Sequence, residues 1–196
     1  MTTLGLIRHG VTDWNLAGRM QGHTDIPLNE TGIWQAKQLA RRLADEGVRW
    51  EAIYSSDLKR ASETARYICE ALQLDEVRLD PRLRERGFGL AEGLTVQERA
   101  ERFGPGLEEA GVESAEQVLE RCKQFLEDLL ARGESRILIV SHGGFLWRFF
   151  SLLDPEMPDV HLGNASLTIM ELVDGKWQVQ LVNCTVHYEG AVPTSE

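Results

Sequence analysis

Two histidines in this chain are each followed by glycine, and each closes an apolar run. His9-Gly10 follows Leu4-Gly5-Leu6-Ile7-Arg8, and His142-Gly143 follows Ile137-Leu138-Ile139-Val140-Ser141. Near neutral pH an imidazole is largely uncharged, and it is nucleophilic through one nitrogen when a neighbour holds the other as N–H. Arg8 adjoins His9, and Arg60 lies in Ser55-Ser56-Asp57-Leu58-Lys59-Arg60-Ala61, which reads as a strand-to-helix junction. Such cations depress an imidazole pKa and keep the free base available. Their guanidinium forks also match phosphate oxygens and stay charged at any working pH. Gly143 and Gly144 open a helical run after His142, so backbone N–H groups could approach an anion there. Glu85, in Leu83-Arg84-Glu85-Arg86-Gly87, is the candidate proton donor. A carboxyl group beside a bound phosphate is expected to have a raised pKa and to protonate a leaving alkoxide. Asn15, Gln21 and Gly22 follow His9 and offer neutral donors. These residue types suit phosphoryl transfer through a histidine, with a donor at His142 stabilising the group in flight.

The elements that must position them follow from periodicity. Leu4–Ile7, Ala52–Ser55, Glu76–Leu79 and Ile137–Val140 read as short strands. Helical spacing marks Asn29–Asp45, Asp57–Leu72 and Gly144–Leu153. Thr95 with Glu98 and Ser114 with Gln117 are capping-box pairs. The first opens a helix that ends at Gly104-Pro105, the second a helix that ends near Gly133. Leu167–Val173 and Trp177–Val182 flank Asp174-Gly175, a two-residue hairpin signal. Strands alternating with helices predict an α/β fold: a three-layer sandwich with a central, mostly parallel mixed sheet and helices on both faces. Both histidines would then lie at the carboxyl edge of the sheet, where ligands bind in such folds. The expected organisation is one domain over residues 1–190, with 86–117 covering the site and 191–196 as a flexible tail.

With 196 residues, 42% of them apolar, the chain is long enough for one substantial core. Its net charge of −10 argues against a nucleic-acid or anionic-membrane surface, but a local arginine cluster can still hold a small anion. Cys69, Cys122 and Cys184 are odd in number and form no Cys-x-x-Cys, which reads as buried reduced thiols in a cytoplasmic protein. No basic region followed by a long apolar stretch opens the chain. No histidines share ligand spacing beside a carboxylate cluster, so no metal is expected. His23, His161 and His187 read as non-catalytic, with His23 the one placed to reach a rim, while Trp34 and Trp50 read as packing.

Five blocks together resemble the histidine phosphatase superfamily. They are Arg8-His9-Gly10-x-Thr12-x-Trp14-Asn15, Gln21-Gly22-x-x-Asp25-x-Pro27-Leu28-Asn29-x-x-Gly32, Ser55-Ser56-Asp57-Leu58-x-Arg60-Ala61-x-x-Thr64-Ala65, Leu83-Arg84-Glu85 and Ser141-His142-Gly143-Gly144. They are most similar to the branch of cofactor-dependent phosphoglycerate mutases and broad-specificity phosphatases, and they span about residues 4–172. The resemblance implies that His9 becomes the phosphohistidine, that Arg8, Arg60 and His142 form the phosphate pocket, and that Glu85 donates the proton. It implies ligand contacts at Asn15 and Gly22, with Gln21 and Gly143 beside them, and no metal or cofactor. Gly89, Glu92 and Gly93 resemble the phosphatase-type Gly-x-x-Glu-Gly, and Asn164 falls in the late Asn-x-Ser segment. At position 23, where relatives often carry arginine, this chain has histidine.

Between Phe88 and Gln117 the covering segment offers only Arg99 and Arg102 as cations, among many glutamates. Phe88, Leu90, Leu94, Phe103 and Leu107 could supply an apolar wall. A mutase must hold a second anion and exclude water, so the expected activity is metal-independent hydrolysis of a small phosphorylated metabolite. A phosphoglycerate mutase, a phosphohistidine-protein phosphatase and a non-catalytic phosphate-binding module stay open as alternatives, as does a homodimer. Arg84 and Arg86 flank Glu85, and a surface ion-pair cluster would look the same.

Overall fold

Alternation along the first strand sorts its side chains between two cores. In the computed structural model, which describes residues 1–104, 108–157 and 160–189, β1 spans Thr2–Arg8. Leu4 and Leu6 point into one core and Ile7 into the other, all buried. Both faces of this strand are therefore covered, as period-2 geometry requires of a central strand. The first core is closed by α5 (Ala115–Ala131) and α6 (Gly143–Leu153), through Val118, Phe125, Phe145 and Phe149. The second is closed by α2 (Glu30–Asp45) and α3 (Lys59–Leu72), through Leu39, Leu43, Ala65 and Ile68.

Between the helix layers lies a six-stranded sheet of order β3-β2-β4-β1-β5-β6. Here β2 is Ala52–Ser55, β3 Val77–Leu79, β4 Arg136–Ser141, β5 Leu167–Val173 and β6 Lys176–Cys184. The first four in that order run parallel, while β5 and β6 add antiparallel strands beside β1. Arg8 pairs with Ser141, so β1 and β4 end side by side at the same height. The predicted three-layer α/β architecture is what the chain adopts. Asp174 and Gly175 connect β5 to β6 with positive φ at both positions, as a tight hairpin demands.

The expected helix start at Asp57 is corrected to Lys59. Asp57 is pulled out of the helix by a two-pronged pair with Arg84, at 2.7 and 2.5 Å. The cap comes from outside the helix: the Lys59 amide donates to Asp25 Oδ1 at 2.7 Å. Both expected capping boxes form, Thr95–Glu98 on α4 (Val96–Phe103) and Ser114–Gln117 on α5. The segment 86–117 also contains 3-10 turns at Gly89–Ala91 and Glu108–Ala110. It is stitched to the loop after β1, since Met20 and Gly93 exchange backbone hydrogen bonds with Leu94 and Met20 at 3.0 and 2.8 Å. Pro105, Leu107 and the tail 191–196 lie outside the described residues. Cys69 and Cys122 are buried as expected, but Cys184 is only half-buried beside Arg42.

Phe149 is fully buried between the sheet and α5, whereas Leu16 is 71% exposed. Phe149→Ala should lower unfolding stability by about 3–5 kcal/mol, and Leu16→Ala by no more than about 0.5 kcal/mol. Urea unfolding followed by circular dichroism checks this, and comparable losses at the two positions would contradict the assigned core.

Candidate active site

The carboxyl ends of β1, β2 and β4 gather His9, Arg60 and His142 at one edge of the sheet. His9 follows β1 directly, and its amide donates to the Ser141 carbonyl at 3.0 Å. The rings of His9 and His142 lie 5.1 Å apart, inclined by 58°. Both residues are buried, at 3% and 0% exposure.

Hydrogen bonds assign the ring nitrogens. His9 Nδ1 is 2.6 Å from the Gly10 carbonyl oxygen, which can only accept, so Nδ1 carries the hydrogen and Nε2 keeps its lone pair. Arg60 Nε donates to His142 Nδ1 at 3.2 Å, which leaves the hydrogen of neutral His142 on Nε2. That Nε2 is buried and has no partner among the described residues, and the same is true of Arg8 Nε. Buried polar atoms are nearly always paired, so two orphaned donors beside His9 mark a place for an acceptor.

Burial holds the His9 pKa well below 6.5, reinforced by Arg60 and Arg8 and opposed by the Gly10 carbonyl. Burial, Arg60, His9 and Arg8 do the same to His142. Burial also lowers Arg60 to about 10, against the attraction of Glu85, Asp25 and Glu92, which still leaves it a cation at neutral pH.

Arg60 does more than the expected phosphate fork. Besides His142 it holds the Thr24 carbonyl through Nη1 at 2.8 Å and the Gly22 carbonyl through Nη2 at 2.7 Å. Glu92 grips the same loop from the other side, accepting from the amides of His23 and Thr24 at 2.9 and 2.8 Å and from that of Phe88 at 3.0 Å. Burial raises the Glu92 carboxyl pKa, but these bonds and that of the Thr24 hydroxyl outweigh it and the net shift is downward. Gly22 has φ +52°, the left-handed region that favours glycine, and a Cβ there would lie 2.1 Å from Glu92 Oε1, so a side chain would push the carboxylate off the amides it holds. The oxygens of Asn15 and Gln21 are engaged in the loop, Asn15 Oδ1 with the Thr12 amide at 3.0 Å and Gln21 Oε1 with the Thr12 hydroxyl at 2.9 Å. Asn164 Nδ2 bridges Asn15 Oδ1 and the His9 carbonyl.

The start of α6 also differs from expectation. Two of its amides, those of Gly144 and Phe145, do not stand open to an incoming anion, because the Glu85 carboxylate occupies them. Gly144 N donates to Glu85 Oε2 at 3.1 Å, and Phe145 N donates to Oε1 at 3.0 Å. A Cβ at Gly144 would fall 2.5 Å from Glu85 Oε1, so glycine is required for this docking. Gly143 remains in the wall of the cavity. That cavity, of about 540 Å³, is lined by Arg8, Glu85, Gly143, Gly144, Trp147 and Leu162 among others. His23 lies outside this lining, as do His9, Arg60 and His142, which sit behind Arg8 and Gly143, and His23 donates from Nε2 to the Glu85 carbonyl at 2.8 Å. Among the described residues no group of three or more His, Cys, Asp or Glu could hold a metal ion.

The family model of the histidine phosphatase superfamily (branch 1) matches residues 4–185. The chain belongs to the histidine phosphatase superfamily. It is 37% identical to the "Uncharacterized phosphatase PhoE" of Bacillus subtilis (strain 168), over 98% of this chain and 100% of that one. It is 36% identical to the "Metal-independent phosphoserine phosphatase" of Arabidopsis thaliana, over 90% of this chain and 79% of that one. A "Probable phosphoglycerate mutase GpmB" of Proteus mirabilis (strain HI4320) is 40% identical over 73% and 70%. Among solved structures, YhfR of Bacillus stearothermophilus superposes with a TM-score of 0.86 at 32% identity, over 96% of this chain and 100% of that one. As a superfamily member the protein is a phosphatase that works through a phosphohistidine.

Sequence reasoning missed two residues packed beside Glu85: Arg121, which donates to its carbonyl, and Glu113, which accepts from Gly87 and Arg86. The available signal was position: Arg121 lies on the stripe of α5 that also carries Val118, Cys122 and Phe125. A charged residue on an apolar stripe calls for a buried partner.

The buried imidazoles set a pH dependence of stability. His9, His142 and His187 all have lowered pKa values when folded, the last at about 4, chiefly by burial and then by Arg42. The unfolded chain therefore binds protons first as pH falls below about 6.5, and stability drops with falling pH by up to about 1.4 kcal/mol per unit per group. Carboxyls with lowered pKa, such as Asp57 and Glu113, add their losses only below their ordinary values of 3.8 and 4.5. Thermal unfolding between pH 7.5 and 5 should show the decline, and His142→Asn should flatten it. An unchanged Tm across that range in the wild type would contradict the neutral, buried assignment.

Proposed function

We propose that this chain hydrolyses small phosphomonoesters without a metal, with His9 as nucleophile. The observation that carries the reading is the orphaned pair of buried donors, His142 Nε2 and Arg8 Nε, beside a histidine whose Nε2 lone pair is free. In the first step His9 Nε2 attacks phosphorus in line, and the ester oxygen leaves with a proton from Glu85. In the second, water attacks the phosphohistidine, gives a proton to Glu85, and phosphate departs from His9. Arg8, Arg60 and His142 neutralise charge on the three oxygens of the moving group, which is where most of the acceleration in such transfers arises. Gly143 lines the space for the ester, and Asn15, Gln21 and Gly22, whose oxygens are engaged within the loop, keep their N–H groups as the donors for a bound ester.

Charge in the cavity favours water over a second phosphorylated oxygen as the acceptor. Among the described residues Arg8 is the only Lys or Arg lining it. The three cations of segment 86–117 are turned elsewhere, Arg86 to the Glu113 carbonyl at 2.7 Å, Arg99 toward Met20 Sδ and Arg102 over the Phe103 ring. The leaving group that fits is therefore one without a second strong anion. Phosphoserine, named for the Arabidopsis relative, is one compound for a substrate panel.

Release of phosphate from p-nitrophenyl phosphate in excess EDTA tests the reading. Wild type should turn over, and acid-labile, base-stable phosphate should be trapped on the protein. His9→Ala should lose both. Arg60→Ala should raise KM and lower kcat together, with kcat down by about 10²–10³. Turnover retained in His9→Ala would refute the nucleophile, and activity only in a bisphosphate-primed phosphoglycerate assay would favour the mutase.

A further inference from the structure

Arg121 uses every donor it has. A guanidinium carries five N–H groups. Arg121 Nε and Nη2 hold the two carboxylate oxygens of Glu113 at 2.7 and 2.9 Å. Nη1 donates to the carbonyls of Arg82 and Arg84, both at 2.6 Å, and Nη2 also donates to the carbonyl of Glu85 at 3.0 Å. The plane lies 5.2 Å from the ring of Phe145, whose own amide holds the Glu85 carboxylate. Glu113 continues the grip on the far side of Glu85. Its Oε2 accepts from the Gly87 amide at 3.0 Å, its amide donates to the Gly87 carbonyl at 2.8 Å, and its carbonyl accepts from Arg86 Nε at 2.7 Å. Both side chains are largely buried, at 14% and 17% exposure.

An exposed ion pair contributes little, and nothing in one requires the fork to be saturated by backbone carbonyls. Here the acceptors fall at positions 82, 84 and 85, and the partner carboxylate takes the amide at 87. We propose that the Glu113–Arg121 pair is the positioning device of the proton donor, fixing the backbone on both sides of Glu85 so that its carboxyl meets the leaving oxygen. The inference rests on the reading of Glu85 as that donor. Arg121 touches no reacting atom. It acts through the backbone that carries Glu85, and its loss is felt where a proton must be delivered.

Leaving-group dependence separates positioning from mere folding. An alkoxide needs the proton as the ester bond breaks, whereas 2,4-dinitrophenolate leaves without it. The test compares kcat/KM, which reports the first step, for an alkyl phosphate and for 2,4-dinitrophenyl phosphate. Arg121→Met should lower the alkyl value by on the order of 10²-fold, the scale of a misplaced acid catalyst, and the dinitrophenyl value far less. Glu113→Gln keeps the size of the side chain and is read in the same way if Arg121→Met does not fold. Equal losses on both substrates, or none on either, would overturn the proposal. Glu85→Gln is measured alongside. Selectivity in Glu85→Gln without selectivity in either clamp variant refutes the clamp alone, and no selectivity in Glu85→Gln refutes the proton donor and the clamp with it.

Discussion

Everything in the site depends on one buried guanidinium. Arg60 is 1% exposed, and its fork reaches His142 and the carbonyls of Gly22 and Thr24. An isolated buried cation is costly, so it must be surrounded by acceptors. Those acceptors include the groups that build the site. By donating to His142 Nδ1, Arg60 sets the tautomer that points an N–H from Nε2. Its charge helps keep both imidazoles neutral. The orientation of His142, the neutrality of His9 and the loop beside them thus all depend in part on a single side chain.

The loop and its cover are organised by opposite polarity on two sides. Arg60 takes carbonyls of the 22–24 stretch, and Glu92 takes its amides. Neither could do the other's work, since guanidinium only donates and carboxylate only accepts. Because Glu92 also accepts from Phe88, it ties segment 86–117 to the loop that follows His9. That segment is held by these polar contacts more than by apolar packing: Leu90 and Val96 are 60% and 63% exposed.

What was legible in the sequence was what local pattern encodes. The strand ends before His9 and His142, both capping boxes and the Asp174-Gly175 hairpin are decided by residues close in the chain, and they form as read. The start of α3 was not legible, because its cap is Asp25, which lies 34 residues earlier. The occupant of the α6 N-terminus was hidden for the same reason, since Glu85 lies 59 residues before Gly144. The Gly143-Gly144 pattern correctly announced an anion, but a carboxylate of the chain met the requirement. Arg121 was readable in principle from its place on an apolar stripe, yet helical arginines are so commonly solvated that the stripe alone did not single it out.

An acidic protein that binds an anion appears contradictory until distance is considered. The net charge is −10, but charges on the surface are screened over about 10 Å at 0.1 M salt. Two carboxylates nearest the loop and the donor, Glu92 and Glu113, are each saturated by amides, a hydroxyl or a guanidinium, so they present little unpaired charge to the cavity. Arg60 and His142 are buried, and Arg8, in the cavity wall, has a buried Nε with no partner among the described residues. Attraction there operates at low effective dielectric, where each contact counts for several times its value in water. An anion held there would owe little to long-range steering and nearly everything to short contacts made after entry. Trp147 and Leu162 stand in the wall of the adjoining cavity, where the rest of such a molecule would lie.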